Sequence, residues 1–243
     1  MEAIDDYVVQ PTTTHSHTII MLHGRDSVAS EFARELFESQ ASDTRTLPQI
    51  YTGFKWVFPN SGLLKSKRFD MELSQWFDMW STEKPHDEEE TSRAGIEKTA
   101  ARVGDLVKAE AQLVPLDHIF LRGISQGAAV AIHSLLRSGL QIGGYLGFCT
   151  WLPFHEEVNS RTSLSTPIFL SHNKDDKVIS IDNGKFMQKV LQPLGPEVTW
   201  RTYETGGHWL NEPQGIDDLV AFLTARGVSI EDQSTTRKPL MSG

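Results

Sequence analysis

A single cysteine, Cys149, stands in 243 residues, so no disulfide can form within the chain and the fold cannot depend on one. No run approaches the roughly 18 apolar residues of a membrane helix. Residues 1–10 carry acids where a secretory signal would have basic residues followed by an apolar core. Clusters of Lys and Arg are missing too, and a net charge of −9 argues against a nucleic-acid partner. There is no internal repeat, no low-complexity segment, no glycine-rich phosphate loop and no set of residues at metal-ligand spacing. These absences lead us to expect a reduced, cytoplasmic protein with no cofactor, no metal and no integral membrane contact.

What is present suits one large α/β domain over residues 1–228, followed by a polar, frayed tail at 229–243. Short apolar runs at 7–9, 18–22, 55–58, 118–121, 144–148, 167–171 and 198–203 read as strands. Between them, helical stripes fall near 96–107, 128–137, 183–191 and 216–226, and Ser30 is placed to cap an earlier helix carrying Phe32, Leu36 and Phe37. Such alternation predicts a mostly parallel central sheet with helices on both faces. Residues 62–80 fit neither period, yet they carry Leu63, Leu64, Phe69, Met71, Leu73, Trp76, Phe77, Met79 and Trp80. A stretch this apolar either folds over the core or lines a hydrophobic pocket.

The chemistry centres on Gly123-Ile124-Ser125-Gln126-Gly127. On its own, Gly-x-Ser-x-Gly also fits a surface turn. Here a strand enters it and a helix leaves it, with small Ala128 and Ala129 allowing close packing, as a nucleophile elbow requires. The turn lifts the Ser125 hydroxyl above the sheet and aims the Gln126 backbone N–H at a developing oxyanion. After the strand 18–22 come His23-Gly24-Arg25-Asp26, where serine hydrolases of this architecture place a second oxyanion donor, here the Arg25 backbone N–H.

A serine hydroxyl needs a base, and the base needs an acid to hold its tautomer. Of nine histidines, His208 alone follows the acid-bearing loop after the strand 167–171, in a glycine-rich loop beyond the last strand. His133 and His172 read as structural. Asp175 and Asp176 are equally placed for the acid.

The chain resembles the phospholipase/carboxylesterase family of small α/β-hydrolases, which includes the acyl-protein thioesterases. The resemblance runs from about residue 19 to residue 225. It is carried by Leu22-His23-Gly24, Trp76-Phe77-Asp78, Ala94-Gly95-Ile96, Gly123-Ile124-Ser125-Gln126-Gly127, Trp151-Leu152-Pro153, residues 172–178 and His208. It implies an α/β-hydrolase fold without a large lid domain, acting on acyl esters or thioesters, with acylated proteins among the substrates to consider. It also implies Asp176 as the acid, by its spacing of two residues from the pair Ile179-Ser180, and an acyl site bordered by residues 76–78.

Four positions depart from the family pattern. Arg25-Asp26 directly follow His23-Gly24, Ala128 replaces a glycine, Ile179-Ser180 stand where Val-Pro is common, and Trp209 follows the histidine where smaller residues are usual. We expect Leu73, Trp76, Phe77, Trp151 and Leu152 to wall an acyl groove, and Trp209 to narrow the leaving-group side. Medium acyl chains with small leaving groups should then be favoured over lipidated proteins. The competing readings are a carboxylesterase or lactonase of a biosynthetic pathway, and a ligand-binding module that keeps the fold without the chemistry.

Overall fold

Continuous apolar strands that contain both β-branched and aromatic residues must be covered on both faces, and the sheet they form is built that way. The computed structural model describes residues 5–158 and 164–230. In chain order its elements are β1 (Tyr7–Val9), β2 (His17–Leu22), α1 (Ala29–Glu38), α2 (Leu47–Ile50), β3 (Phe54–Phe58), β4 (Leu63–Ser66) and β5 (Met71–Ser74). Then follow α3 (Arg93–Glu110), β6 (Ile119–Ile124), α4 (Gln126–Ser138), β7 (Gly144–Phe148), β8 (Ile168–Asn173), α5 (Ile181–Leu191), β9 (Val198–Tyr203) and α6 (Gln214–Thr224). The large sheet has the order β1-β3-β2-β6-β7-β8-β9. Only the edge strand β1 runs antiparallel to its neighbour.

Two apolar layers flank the sheet. One joins Ile20, Leu121, Val103 of α3, Val130 of α4 and Met187 of α5. The other joins Ile19, Phe120, Phe32 of α1 and Phe222 of α6. Side chains alternating along β2 and β6 feed the two layers in turn. β6 also buries a cation: Arg122 is 1% exposed, and its guanidinium lies 4.4 Å over the Phe148 ring. Burial lowers its pKa to about 9, which leaves it protonated near neutral pH.

The structure corrects two local expectations. Residues 62–80 are not aperiodic throughout, because β4 and β5 pair as an antiparallel hairpin, Leu63 opposite Ser74 and Ser66 opposite Met71. Neither face of this ribbon is fully covered, and Leu63 and Met71 are exposed, so no alternation of burial marks it in the sequence. Ser30 does not cap α1. The helix starts at Ala29, whose N–H donates to Asn60 Oδ1 at 2.8 Å. A side chain from beyond β3 satisfies the helix end in place of a local serine. Of the tail placed at 229–243, residues 231–243 lie outside the described residues.

Candidate active site

Four strands deliver the site residues from one edge of the sheet: His23 follows β2, Ser125 follows β6, Asp176 lies beyond β8 and His208 beyond β9. In an open parallel sheet, that edge is where the crevice forms.

Ser125 sits at φ 54° and ψ −125°, between β6 and α4. A non-glycine residue there is strained, and tight packing on both sides holds it in place. A Cβ on Gly123 would come within 2.4 Å of the Ala128 nitrogen, and one on Gly127 within 2.4 Å of the His23 carbonyl. Glycine is therefore required at both positions by backbone contact. Gln126 opens α4, so its N–H lies at the helix end where intrahelical acceptors are missing. Its side chain has a separate task, since Oε1 accepts from the Trp76 N–H and Nε2 donates to the Phe77 carbonyl, both at 2.8 Å. Ser125, His208, Trp209, Gly24 and Arg25 line one cavity of about 300 Å³.

His23 anchors the turn that carries Arg25. Its Nδ1–H donates to the Gly24 carbonyl at 2.7 Å, and Nε2 accepts from the Ser61 N–H at 3.2 Å. The Trp76 indole N–H donates to the His23 carbonyl at 2.8 Å. Burial lowers the His23 pKa from 6.5 to about 4, against the raising effect of the Gly24 carbonyl. Protonation would cost the Ser61 bond, so the folded state keeps this imidazole neutral. The unfolded chain takes up the proton first as pH falls. His23 therefore contributes stability above pH 6.5 that is lost progressively down to about pH 4, and the full change is about 3 kcal/mol. Urea unfolding at pH 7 and pH 4.5 should show a steeper loss for the wild type than for His23→Gln. Equal losses would count against this role.

Beyond β8, Asp176 Oδ2 accepts from His208 Nδ1–H at 2.8 Å, while Oδ1 accepts from the N–H groups of Val178 and Ile179 at 2.8 and 3.0 Å. His172 Nε2 lies 3.2 Å from Oδ2 and donates to the Ile179 carbonyl at 2.8 Å. Burial alone would raise the Asp176 pKa, but the hydrogen bonds from His172 and His208 outweigh it and hold the carboxyl below the ordinary range. The bond from His208 uses Nδ1 and leaves Nε2 as the ring nitrogen not bound to Asp176.

Sequence reasoning missed the residues that hold His208 in place. Asp175 accepts from the N–H groups of Gly206 and Gly207 at 3.3 and 2.8 Å. The Asn173 amide donates to the carbonyls of Gly207 and Trp209, on either side of His208, at 2.9 and 2.7 Å. The only signal was their position at the end of a strand that leads to a carboxylate. His172, which read as structural, touches the Asp176 carboxylate directly.

The fold also brings ligand atoms of Cys149, His172 and Asp176 within 4.8 Å of one another. These atoms already serve the site: Cys149 Sγ–H donates to the Trp209 carbonyl at 3.5 Å, and a metal would have to displace His208 from Asp176. Burial, with the Asp176 charge, pushes the Cys149 thiol well above its ordinary pKa, which leaves it a poor ligand.

The expected acyl wall is corrected. Trp76, Phe77, Trp151 and Leu152 are each 1% exposed and belong to the core layer beneath the site. Phe77 and Trp151 do meet, edge to face at 6.2 Å, but as core packing. Leu73 is half-buried on the hairpin. The apolar lining of the cavity is instead Phe32, Met79, Ile124 and Val178, with Trp209.

The profile of the phospholipase/carboxylesterase family matches residues 4–226. Acyl-protein thioesterase 1 of Aspergillus fumigatus is 27% identical over 233 residues, spanning 89% of this chain and 90% of its own. Among solved structures, acyl-protein thioesterase 2 of Zea mays superposes with a TM-score of 0.74 at 23% identity, covering 91% of this chain and 98% of its own. The Bacillus cereus carboxylesterase superposes at 0.65 with 15% identity, covering 90% and 93%. At such identities the solved structures speak for the α/β-hydrolase fold alone. No helix among the described residues is long and apolar enough to cross a membrane.

Proposed function

Because the chain belongs to the phospholipase/carboxylesterase family and is a carboxylic ester hydrolase, we propose that it cleaves acyl esters or thioesters through Ser125, His208 and Asp176. The observation that carries this reading is the 2.8 Å bond from His208 Nδ1 to Asp176, in a cavity that His208 shares with the strained Ser125.

Ser125 Oγ attacks the acyl carbonyl while His208 Nε2 takes its proton. Asp176 holds the tautomer and stabilises the imidazolium. The backbone N–H groups of Gln126 and Arg25 receive the oxyanion, each such donor being worth about 2.7–4 kcal/mol. His208 returns the proton to the leaving alcohol or thiol. Water then attacks the acyl-enzyme by the same route and releases the acid.

Met79, Ile124 and Val178 form the acyl side of the cavity, and Trp209 the leaving-group side. A cavity of about 300 Å³ suits a medium acyl chain with a small leaving group better than a lipidated protein. Each buried CH₂ should add up to about 0.8 kcal/mol, roughly fourfold in kcat/KM. A cytoplasmic setting belongs to the same reading, resting on one buried cysteine and no disulfide. The test is hydrolysis of acetyl to octanoyl esters beside the matching thioesters. Rates should climb with chain length and then level off. A flat series would remove the acyl side from this account, and efficient release of palmitate from an intact protein would overturn the preference assigned to Trp209.

A further inference from the structure

The cavity carries a pattern of charge that ester hydrolysis does not need. Besides His208, three charged side chains line the cavity: Arg25, Asp26 and Glu35. Arg25 is tied to Asp26, Nε to Oδ2 at 3.3 Å, and the carboxylate is the more open end of the pair, 54% exposed against 19% for Arg25. Glu35 is exposed and makes no ion pair among the described residues. The cavity therefore presents two carboxylates against one guanidinium that is already engaged.

Two aromatic side chains, Phe32 and Trp209, line the same cavity as Glu35. Phe32 and Glu35 lie three residues apart on α1, so they share a face. Trp209, next to the proposed base, meets Phe32 edge to face at 5.8 Å and 89°. An indole that lines the same cavity as an unpaired carboxylate is what a desolvating ammonium group needs, since the ring face and the anion both attract it. The net charge of −9 adds a field that draws cations toward the molecule.

We propose that this cavity holds a subsite for a cationic leaving group, an alcohol or thiol bearing an ammonium nitrogen, with Glu35 as counter-charge and Trp209 as aromatic wall. This rests on the hydrolase reading above and narrows its substrate class. Glu35 is a specificity-determining residue, since it meets the leaving group and not the reacting atoms. Trp209 excludes bulk and selects charge with the same ring.

The probes are S-acetylthiocholine and its neutral isostere, S-(3,3-dimethylbutyl) thioacetate, which differ in charge and hardly in shape. In the wild type, kcat/KM should favour the thiocholine ester by roughly threefold to tenfold. That ratio should fall toward one in Glu35→Gln, fall in Trp209→Leu more than in Trp209→Phe, and shrink as salt is raised. A wild-type ratio of one or less, or a preference that Glu35→Gln leaves intact, would overturn the subsite. So would a preference for the acetyl thioester of an anionic thiol, 3-mercaptopropionate, that depends on Arg25. Turnover of the neutral thioester with no cationic preference would leave the hydrolase reading standing. Turnover of neither, by a protein whose Ser125 also resists a fluorophosphonate probe, would sink both.

Discussion

Ser125→Ala is expected to lower kcat by several orders of magnitude, and His208→Ala by a similar factor, with the fold intact in both. The nucleophile and its base act as one unit: without the base Ser125 stays a neutral hydroxyl, and without the serine the base has no proton to take. Combining the two substitutions should cost little more than either alone, because each already removes the covalent route. What remains in each variant is whatever the oxyanion donors and binding supply. Alanine retains the Cβ at φ 54°, so the strained turn is kept and thermal unfolding should barely move. Labelling by a fluorophosphonate should vanish with Ser125→Ala. Near wild-type turnover by either variant would mean that another group does the chemistry.

Asp176→Asn is expected to cost about 10⁴-fold in kcat, the scale seen when the acid of such a triad becomes an amide. Its Oδ2 takes the His208 Nδ1–H at 2.8 Å. An amide presenting its NH₂ there would favour the opposite tautomer, with the proton on the nitrogen that must act as base. Asp175→Asn should cost far less, about tenfold or under, because an amide oxygen can still accept the Gly207 N–H bond of 2.8 Å. The two variants separate an acid that touches the base from a neighbour that holds its loop. If Asp175→Asn proved the more damaging, the acid would have been assigned to the wrong carboxylate.

The histidine loop shows where sequence reading ran out. Order along the chain could single out His208, since it alone follows the acid-bearing loop. Its supports, Asn173 and Asp175, sit more than 30 residues away and act by bonding backbone atoms of residues 206, 207 and 209. Side chains that bond a distant backbone leave no periodicity and no local spacing to detect. The apolar stretch 62–80 failed for a related reason. Its composition demanded burial, but composition cannot say whether an indole faces a cavity or the core, and Trp76 is drawn down by Gln126 and His23.

Local chemistry was enough to determine the alternation of strands and helices and the strained serine turn between β6 and α4, and to single out His208 as the candidate base. Each follows from neighbours in the chain: apolar period, glycines beside a serine, and residue order. Only the tertiary structure decided how the cavity is lined. Met79, Val178 and the α1 pair Phe32 and Glu35 come from three separate segments that meet at the edge of the sheet, while Trp76, Phe77, Trp151 and Leu152 pass beneath it into the core. Hydrophobic burial has no direction of its own. Which large side chains fill the interior and which are left to face a substrate is therefore settled by packing among segments far apart in the chain.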